Sequence, residues 1–205
     1  MNILVTGGSG LIGSCIMKHL SDTYHGVINY DLKELPGYYW WDAKEPLTGH
    51  AFPILDAFID CARYDCQSRQ VLNWSEVIRR FKEQGKGGKI ILFSSIYGHK
   101  APRFDIYPGT EIPETPLEYA MDKGAIEQAV RYLAEKHKGD MIQVNAIAPG
   151  GVVDAHSTAF LQNYLCAGKV PMIYPKSILP TIDMLLSKDN AVNGQTLTVS
   201  NGWEL

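Results

Sequence analysis

Tyr119 and Lys123, four positions apart in "EYAMDKGA", could do more chemistry than any other pair in the sequence. On a helix that spacing puts both side chains on one face. A phenol with a pKa of ~10 is a poor acid–base group at neutral pH, and an ammonium held beside it favours the phenolate. Ser95, which ends the apolar run "KIILFSS", supplies a hydroxyl able to hydrogen-bond an oxygen on which charge develops. A phenol, an ammonium and a hydroxyl of this kind can move a proton on or off a substrate oxygen.

A second group of residues selects what would share that site. Gly7, Gly10 and Gly13 in "NILVTGGSGLIG" form a G-x-x-G-x-x-G loop directly after an apolar run and directly before a helical pattern. A helix start leaves backbone N–H groups unpaired beside the positive end of the helix dipole, and a phosphate satisfies both. Glycine is needed there because a Cβ would hold a pyrophosphate away. Asp31 ends the following strand, where a carboxylate can accept from ribose hydroxyls and repel a 2′-phosphate, which favours NAD over NADP. Lys33 lies close enough to blur that preference.

These residues need a scaffold, and the apolar pattern supplies one. Strands are expected at Ile3–Val5, Gly26–Asp31, Gly37–Asp42, Ala57–Ala62, Lys89–Ser95, in "MIQVNAIAP" and in "GQTLTVSNG". Helices are expected from Leu11 onward, over Gln67–Gln84, and over Leu117–Lys138 with Ala120, Ile126, Ala129, Val130 and Leu133 as the apolar face. A loop rich in Pro and Gly joins Tyr97 to Pro116. Strands alternating with helices predict an α/β fold: one doubly wound parallel sheet, a Rossmann fold with helices on both faces. Ligands of such a sheet sit beyond the carboxyl ends of its strands, where Ser95 would stand. Residues 1–205 read as one domain, without repeat or linker.

Composition removes several other classes. With 45% hydrophobic and 20% charged residues and a net charge of −3, nothing draws the chain to nucleic acid or an anionic membrane. No apolar run reaches the roughly 20 residues of a bilayer span, and the start shows no basic and apolar leader. The four cysteines (Cys15, Cys61, Cys66, Cys166) contain no C-x-x-C pair, and the six histidines are scattered, so no metal site is expected. Free thiols fit a reducing compartment, and a cytoplasmic location is expected.

With these motifs in view the chain resembles a short-chain dehydrogenase/reductase over essentially its whole length. "TGGSGLIG" matches that family's cofactor loop, "FSSIYG" its serine strand, "YAMDK" its Tyr-x-x-x-Lys motif, "VNAIAPGGV" the segment after the sixth strand, and "NGQTLTVSNGW" the C-terminal strand. The resemblance implies that Tyr119 is the general acid/base. Lys123 would lower the Tyr119 pKa and bind the nicotinamide ribose, and Ser95 would orient the substrate. The cofactor would be held by Gly7, Ser9, Gly10, Leu11, Ile12, Gly13, Asp31, Ala62, Tyr119, Lys123, Pro149, Gly150 and Val152, with the backbone from Pro149 to Val152 on the carboxamide. It further implies an NAD(P)-dependent oxidoreductase acting on a carbonyl or hydroxyl carbon of a small substrate. A homodimer or homotetramer would form through the Leu117–Lys138 helix and the one before it. The Ser95-to-Tyr119 insertion resembles members from flagellin-modification and surface-polysaccharide pathways, which implies a sugar or sugar nucleotide. Its Tyr97, Arg103, Asp105, Tyr107 and Glu111 suit hydroxyl-rich ligands.

Three departures from the family pattern carry expectations of their own. The glycine spacing is that of the extended, sugar-nucleotide branch, whereas the C-terminal half follows the shorter one. The Asn-Asn-Ala-Gly motif appears as "DCAR", so Arg63 replaces a glycine and would either crowd the cofactor or reach a phosphate of cofactor or substrate. The chain is also trimmed. Some ten residues from Asp31 to Asp42 leave no room for a crossover helix. The family's water-holding Asn would fall near Cys66 or Gln67, with Asn73 about two turns too far along. These losses motivate a second expectation, a dinucleotide-binding module without turnover.

Overall fold

In the computed structural model, which describes residues 1–31, 39–40, 54–63 and 67–205, the short apolar runs form one parallel sheet. Its strands are β1 (Asn2–Thr6), β2 (Gly26–Asp31), β3 (Tyr39–Trp40), β4 (Ala57–Asp60), β5 (Gly88–Phe93), β6 (Ile142–Pro149) and β7 (Thr196–Val199). The order across the sheet is β3-β2-β1-β4-β5-β6-β7. The direction of winding reverses between β1 and β4, and such a switch point opens a crevice at the carboxyl ends of the strands.

Side-chain alternation divides the core into two layers. From β1, Leu4 joins Phe58, Ile90, Leu92 and Val144 on one face, covered by α2 (Gln67–Gln84) and α3 (Leu117–His137). Ile3 and Val5 join Ala57, Ile59, Ile91 and Phe93 on the other, covered by α1 (Leu11–Thr23) and α5 (Leu179–Leu186). On α3, Ile126, Val130 and Ala134 are buried while Ala129 and Leu133 pack at the margin; of the face expected from the sequence Ala120 stays outside the core clusters and Ala134 joins instead.

The chain folds a third apolar cluster that the sequence pattern did not show. Ile96, Ile106 and Tyr107 from the insertion meet Phe160 and Tyr164 of α4 (Thr158–Gly168), together with Met172 and Trp203. The insertion is therefore a folded wall with two short 3-10 turns, Ile96–Gly98 and Phe104–Ile106, and not a loose connection. Helices α4 and α5 had no separate expectation.

Two of the strand ends that fall short of expectation do so for local reasons visible in the hydrogen bonding. β4 stops at Asp60 because the Ala62 N–H turns back to Asp60 Oδ1 at 3.2 Å. β5 stops at Phe93, although the Ser94 N–H still donates to Ile147 O at 2.9 Å, because Ser95 begins the next 3-10 turn and its Oγ accepts from the Tyr97 N–H. The third strand is present at Tyr39–Trp40; the rest of Gly37–Asp42, the Asp31–Asp42 shortcut, Lys33 and Cys66 lie outside the described residues. No helix among the described residues is long and apolar enough to cross a membrane.

Candidate active site at the carboxyl edge of the sheet

β1 ends in the glycine loop, whose shape is dictated by contacts that leave no room for a side chain. A Cβ on Gly13 would meet Gly7 O at 2.2 Å, and one on Gly7, which has φ +68°, would meet the Ala62 backbone at 2.6 Å. The loop is held by Gly8 N–H to Asn29 Oδ1 (2.9 Å) and by Ser9 N–H to Asp31 Oδ2 (2.8 Å). No side chain caps α1 at Gly10. A Cβ at Gly10 would find only Gly7 O, at 3.4 Å. Ser9 Oγ is buried and has no hydrogen-bond partner among the described residues. An uncapped helix start, an open approach at Gly10 and an orphaned hydroxyl fit a phosphate group.

Beyond this loop lies a cavity of about 380 Å³ lined by the three glycines together with Leu11, Ile12, Ser95, Tyr119, Lys123, Pro149, Gly150 and Val152. Eleven of the residues picked from the sequence thus meet in one place. Ser9, Asp31 and Ala62 adjoin the loop without lining the cavity: Asp31 anchors Ser9, and Ala62 abuts Gly7. Cys61, Phe93 and Ser94 line it too and were missed as site residues. Cys61 is no nucleophile, since burial pushes its thiol far above the ordinary range. A larger cavity of about 650 Å³ opens at the amino edge of the sheet, where Asp56 and Lys86 pair at 2.6 Å. The carboxyl edge is the better site because the switch point and the acid–base side chains converge there.

Lys123 donates to Phe93 O at 2.9 Å, and its Nζ sits 5.6 Å from the centre of the Tyr119 ring. Burial draws the Lys123 pKa below the usual lysine range, opposed by the charges of Asp60 and Asp122. The turn that carries Ser95 is clamped to α3 from behind. Ser94 Oγ lies 3.0 Å from both Lys123 O and the buried Glu127 Oε1, and His99 Nδ1 reaches the same Glu127 oxygen at 2.7 Å. A Cβ on Gly98 would strike Ser94 and Glu127, which is why that turn can approach α3 so closely. An acid four residues after Lys123, on the helix face turned inward, was the sequence signal for this clamp.

Asp60 organises the switch point: it accepts from Thr6 Oγ1 and from Trp74 Nε1, both at 2.7 Å, tying β1 and α2 to β4. Asn73 is fully buried within α2 and does not line the cavity. On the far side, Tyr164 OH accepts from the Gly151 N–H at 2.9 Å and fixes the backbone after β6. Burial pushes the Tyr164 pKa up to about 12, so it remains a neutral phenol.

A second cavity, also about 380 Å³, adjoins the first and shares Ser95, Tyr119, Gly150 and Val152 with it. Its walls include Tyr97, Tyr107, Ile112, Phe160 and Met172, and Arg63 lies at its edge. Arg63 lines this cavity and not the one at the glycine loop, so it does not plug the groove. Of the five insertion residues expected to face a ligand, only Tyr97 and Tyr107 line this cavity. Arg103 pairs with Asp105 at 3.0 Å and reaches Ala167 O, while Glu111 accepts from the Ser157 N–H at 3.1 Å; these three brace the wall. Among the described residues no cluster of His, Cys, Asp and Glu could hold a metal ion.

Comparison with known proteins places this geometry. Residues 64–204 match the family model described as enoyl-(acyl carrier protein) reductase. The post-translational flagellin modification protein A of Campylobacter coli is 36% identical over 137 residues, 66% of this chain and 53% of that protein. Glucose 1-dehydrogenase of Gluconobacter oxydans is 33% identical over 138 residues, 63% of this chain and 48% of that protein. The chain spans about half the length of the curated relatives it matches. Among solved structures, a short-chain dehydrogenase from Leptospira borgpetersenii with bound NAD+ superposes with a TM-score of 0.85 at 27% identity, covering 99% of this chain and 92% of that one. The family match, over a parallel sheet whose glycine loop, serine turn and Tyr-x-x-x-Lys helix converge, makes the chain a member of the short-chain dehydrogenase/reductase family.

Proposed function

We propose that the chain is an NAD(P)-dependent oxidoreductase acting on a hydroxyl or carbonyl carbon of a small polar substrate, with a sugar or sugar nucleotide as the favoured class. The observation that carries this reading is the single cavity in which the glycine loop and Ser95, Tyr119 and Lys123 all meet. A nicotinamide dinucleotide would be held by the Gly7–Gly13 loop, Lys123 and the Pro149–Val152 backbone, and when bound it supplies the hydride donor or acceptor.

The protein's own residues do the rest. Ser95 and Tyr119 line both cavities, and a substrate oxygen placed between them would meet both hydroxyls. Tyr119 gives the proton to that oxygen in reduction and takes it in oxidation. Lys123, anchored on Phe93 O, keeps positive charge beside the phenol and stabilises the negative charge that develops on it. The flagellin modification protein and the glucose 1-dehydrogenase among the relatives support the sugar class. Asp31, at the end of β2, supports NAD over NADP by repelling a 2′-phosphate.

Tyr119→Phe tests the reading. NADH affinity, followed by fluorescence, stays within about twofold, while turnover of a responsive keto-sugar or polyol falls on the order of 10²–10⁴-fold. Unchanged turnover in Tyr119→Phe sinks the mechanism; nucleotide binding without turnover on any carbonyl or polyol favours the binding module. Assembly as a homo-oligomer belongs to the same proposal. Leu72 on α2 and Leu117, Met121 and Tyr132 on α3 leave large apolar surface exposed, and a sedimenting monomer would count against it.

A further inference from the structure

Arg63 is the one member of the "DCAR" segment that leaves the sheet for solvent, and the family-like residues around it do not account for it. Arg63 is exposed, lines the second cavity and makes no hydrogen bond or ion pair with another described residue. The two acid–base hydroxyls line that cavity too. Its other walls include the aromatic and aliphatic side chains Tyr97, Tyr107, Phe160 and Met172, which offer an anion no competing cation. His156 also lines it; its Nδ1 accepts from the Asp154 N–H at 3.2 Å, which leaves the proton of the neutral ring on Nε2 as a further donor. Glu114 is the acid on this lining, exposed and not paired with Arg63.

We infer that the substrate carries an anionic oxygen group, a carboxylate or a phosphoryl, which the Arg63 guanidinium holds while the reacting carbon lies between Ser95 and Tyr119. This rests on the proposed oxidoreductase reading and narrows its substrate to acidic hydroxy or keto compounds. Arginine suits the task because its planar fork meets a carboxylate or phosphate with two parallel hydrogen bonds and never loses its charge. The cofactor's phosphates are the wrong recipient, since Gly7, Gly10 and Gly13 line the neighbouring cavity, which Arg63 does not enter. Lys123 does not compete for the anion, because it lines the glycine-loop cavity and not the second one.

Calorimetric titration of the full chain, with and without NADH, tests this with three probes of one carbon skeleton: glucose, gluconate and glucose 6-phosphate. The expected result is binding of one acidic probe at least about tenfold tighter than glucose, with the gap closed in Arg63→Gln and partly kept in Arg63→Lys. Whichever acid binds better tells carboxylate from phosphoryl. Equal binding of all three, no binding of either acid, or a preference that survives Arg63→Gln overturns the inference. Weakened NADH binding in Arg63→Gln overturns it as well, by assigning the guanidinium to the cofactor. Failure of the wild type to bind NADH while Arg63 still selects the acid would instead strike the oxidoreductase reading and leave Arg63 as an anion site.

Discussion

The two cavities at the carboxyl edge of the sheet are equal in volume, about 380 Å³ each, and share four lining residues, yet they are built in opposite ways. The one at the glycine loop is made by short continuous stretches: a loop closing β1, the end of β5, one turn of α3 and the backbone after β6. Its neighbour is made by side chains from segments some sixty residues apart in the chain, Tyr97 and Tyr107 of the insertion with Phe160 and Met172. In the first, backbone and the absence of side chains set the shape; in the second, packing does. A cofactor common to a family can be bound by the first kind of construction, while selectivity for one substrate needs the second.

That difference yields its sharpest test in Gly13→Ala. The added methyl would overlap Gly7 O, a backbone atom that cannot swing aside, so the loop must open or α1 must move. Nucleotide binding is expected to fall by at least about a hundredfold, roughly 3 kcal/mol, which NADH fluorescence reads directly. Probes of the second cavity should keep their affinity. If nucleotide binding survives, the loop is not what holds the cofactor.

The converse test is Trp203→Ala. Trp203 is buried, stacks on Tyr164 with ring centres 4.4 Å apart and donates to Tyr164 O at 3.0 Å. A Cβ on Gly168 would run into its indole, so α4 ends against that ring. Removing it should cost about 3–5 kcal/mol of stability and lower the melting temperature by on the order of 10 °C. Substrate affinity should suffer more than NADH affinity. Equal loss of both would mean that the cavities are not built independently.

How much of each half could be read in the sequence follows from the same contrast. That Gly7, Gly10, Gly13, Tyr119 and Lys123 would share one cavity was legible because their placement depends on neighbours within four residues or on a strand that ends beside them. The seven strands were legible because apolar runs of a buried parallel sheet are short and continuous. The wall of the second cavity was not legible. Tyr164 and Trp203 meet 39 positions apart, and no local pattern says that one ring covers the other. The guess that Arg103, Asp105 and Glu111 face a ligand failed for the same reason: polar residues in an insertion bind substrate or brace the wall according to tertiary partners. Asp60 was noted only as a departure, although it ties Thr6 and Trp74 together at the switch point.

Lys123 lines the glycine-loop cavity alone, one helical turn from the shared Tyr119, and its protonation offers a finer test. Burial lowers its pKa, so the ammonium is lost at a pH below that of an ordinary lysine, ~10.5. The alkaline limb of kcat is therefore expected below that value, and Lys123→Arg, whose charge does not titrate there, should move the limb upward. The linkage has a definite sign. Between the lowered folded pKa and the ordinary one the unfolded chain binds more protons, so this lysine's contribution to stability rises with pH. Lys123→Met should accordingly lose turnover without losing thermal stability at neutral pH. A marked drop in melting temperature would make Lys123 a structural residue first.

The smallest effect is expected where neither cavity is touched. Asp56, at the amino edge, is partly buried, and burial alone would raise its pKa; the Lys86 ammonium at 2.6 Å and the Asn2 N–H at 2.7 Å outweigh that and hold it low. A carboxylate with a depressed folded pKa contributes stability that is fully present above its unfolded value of ~3.9 and is lost as pH falls through the folded value. Because the pair is partly exposed, Asp56→Asn should cost about 0.5–1 kcal/mol at neutral pH. Denaturant melts of the two proteins should converge as the solution is acidified below that range, and kcat and NADH affinity at pH 7 should match the wild type. A change in either kinetic quantity would show that the amino edge communicates with the carboxyl edge through β1 and β4, whose ends Asp56 and Asp60 each tie down.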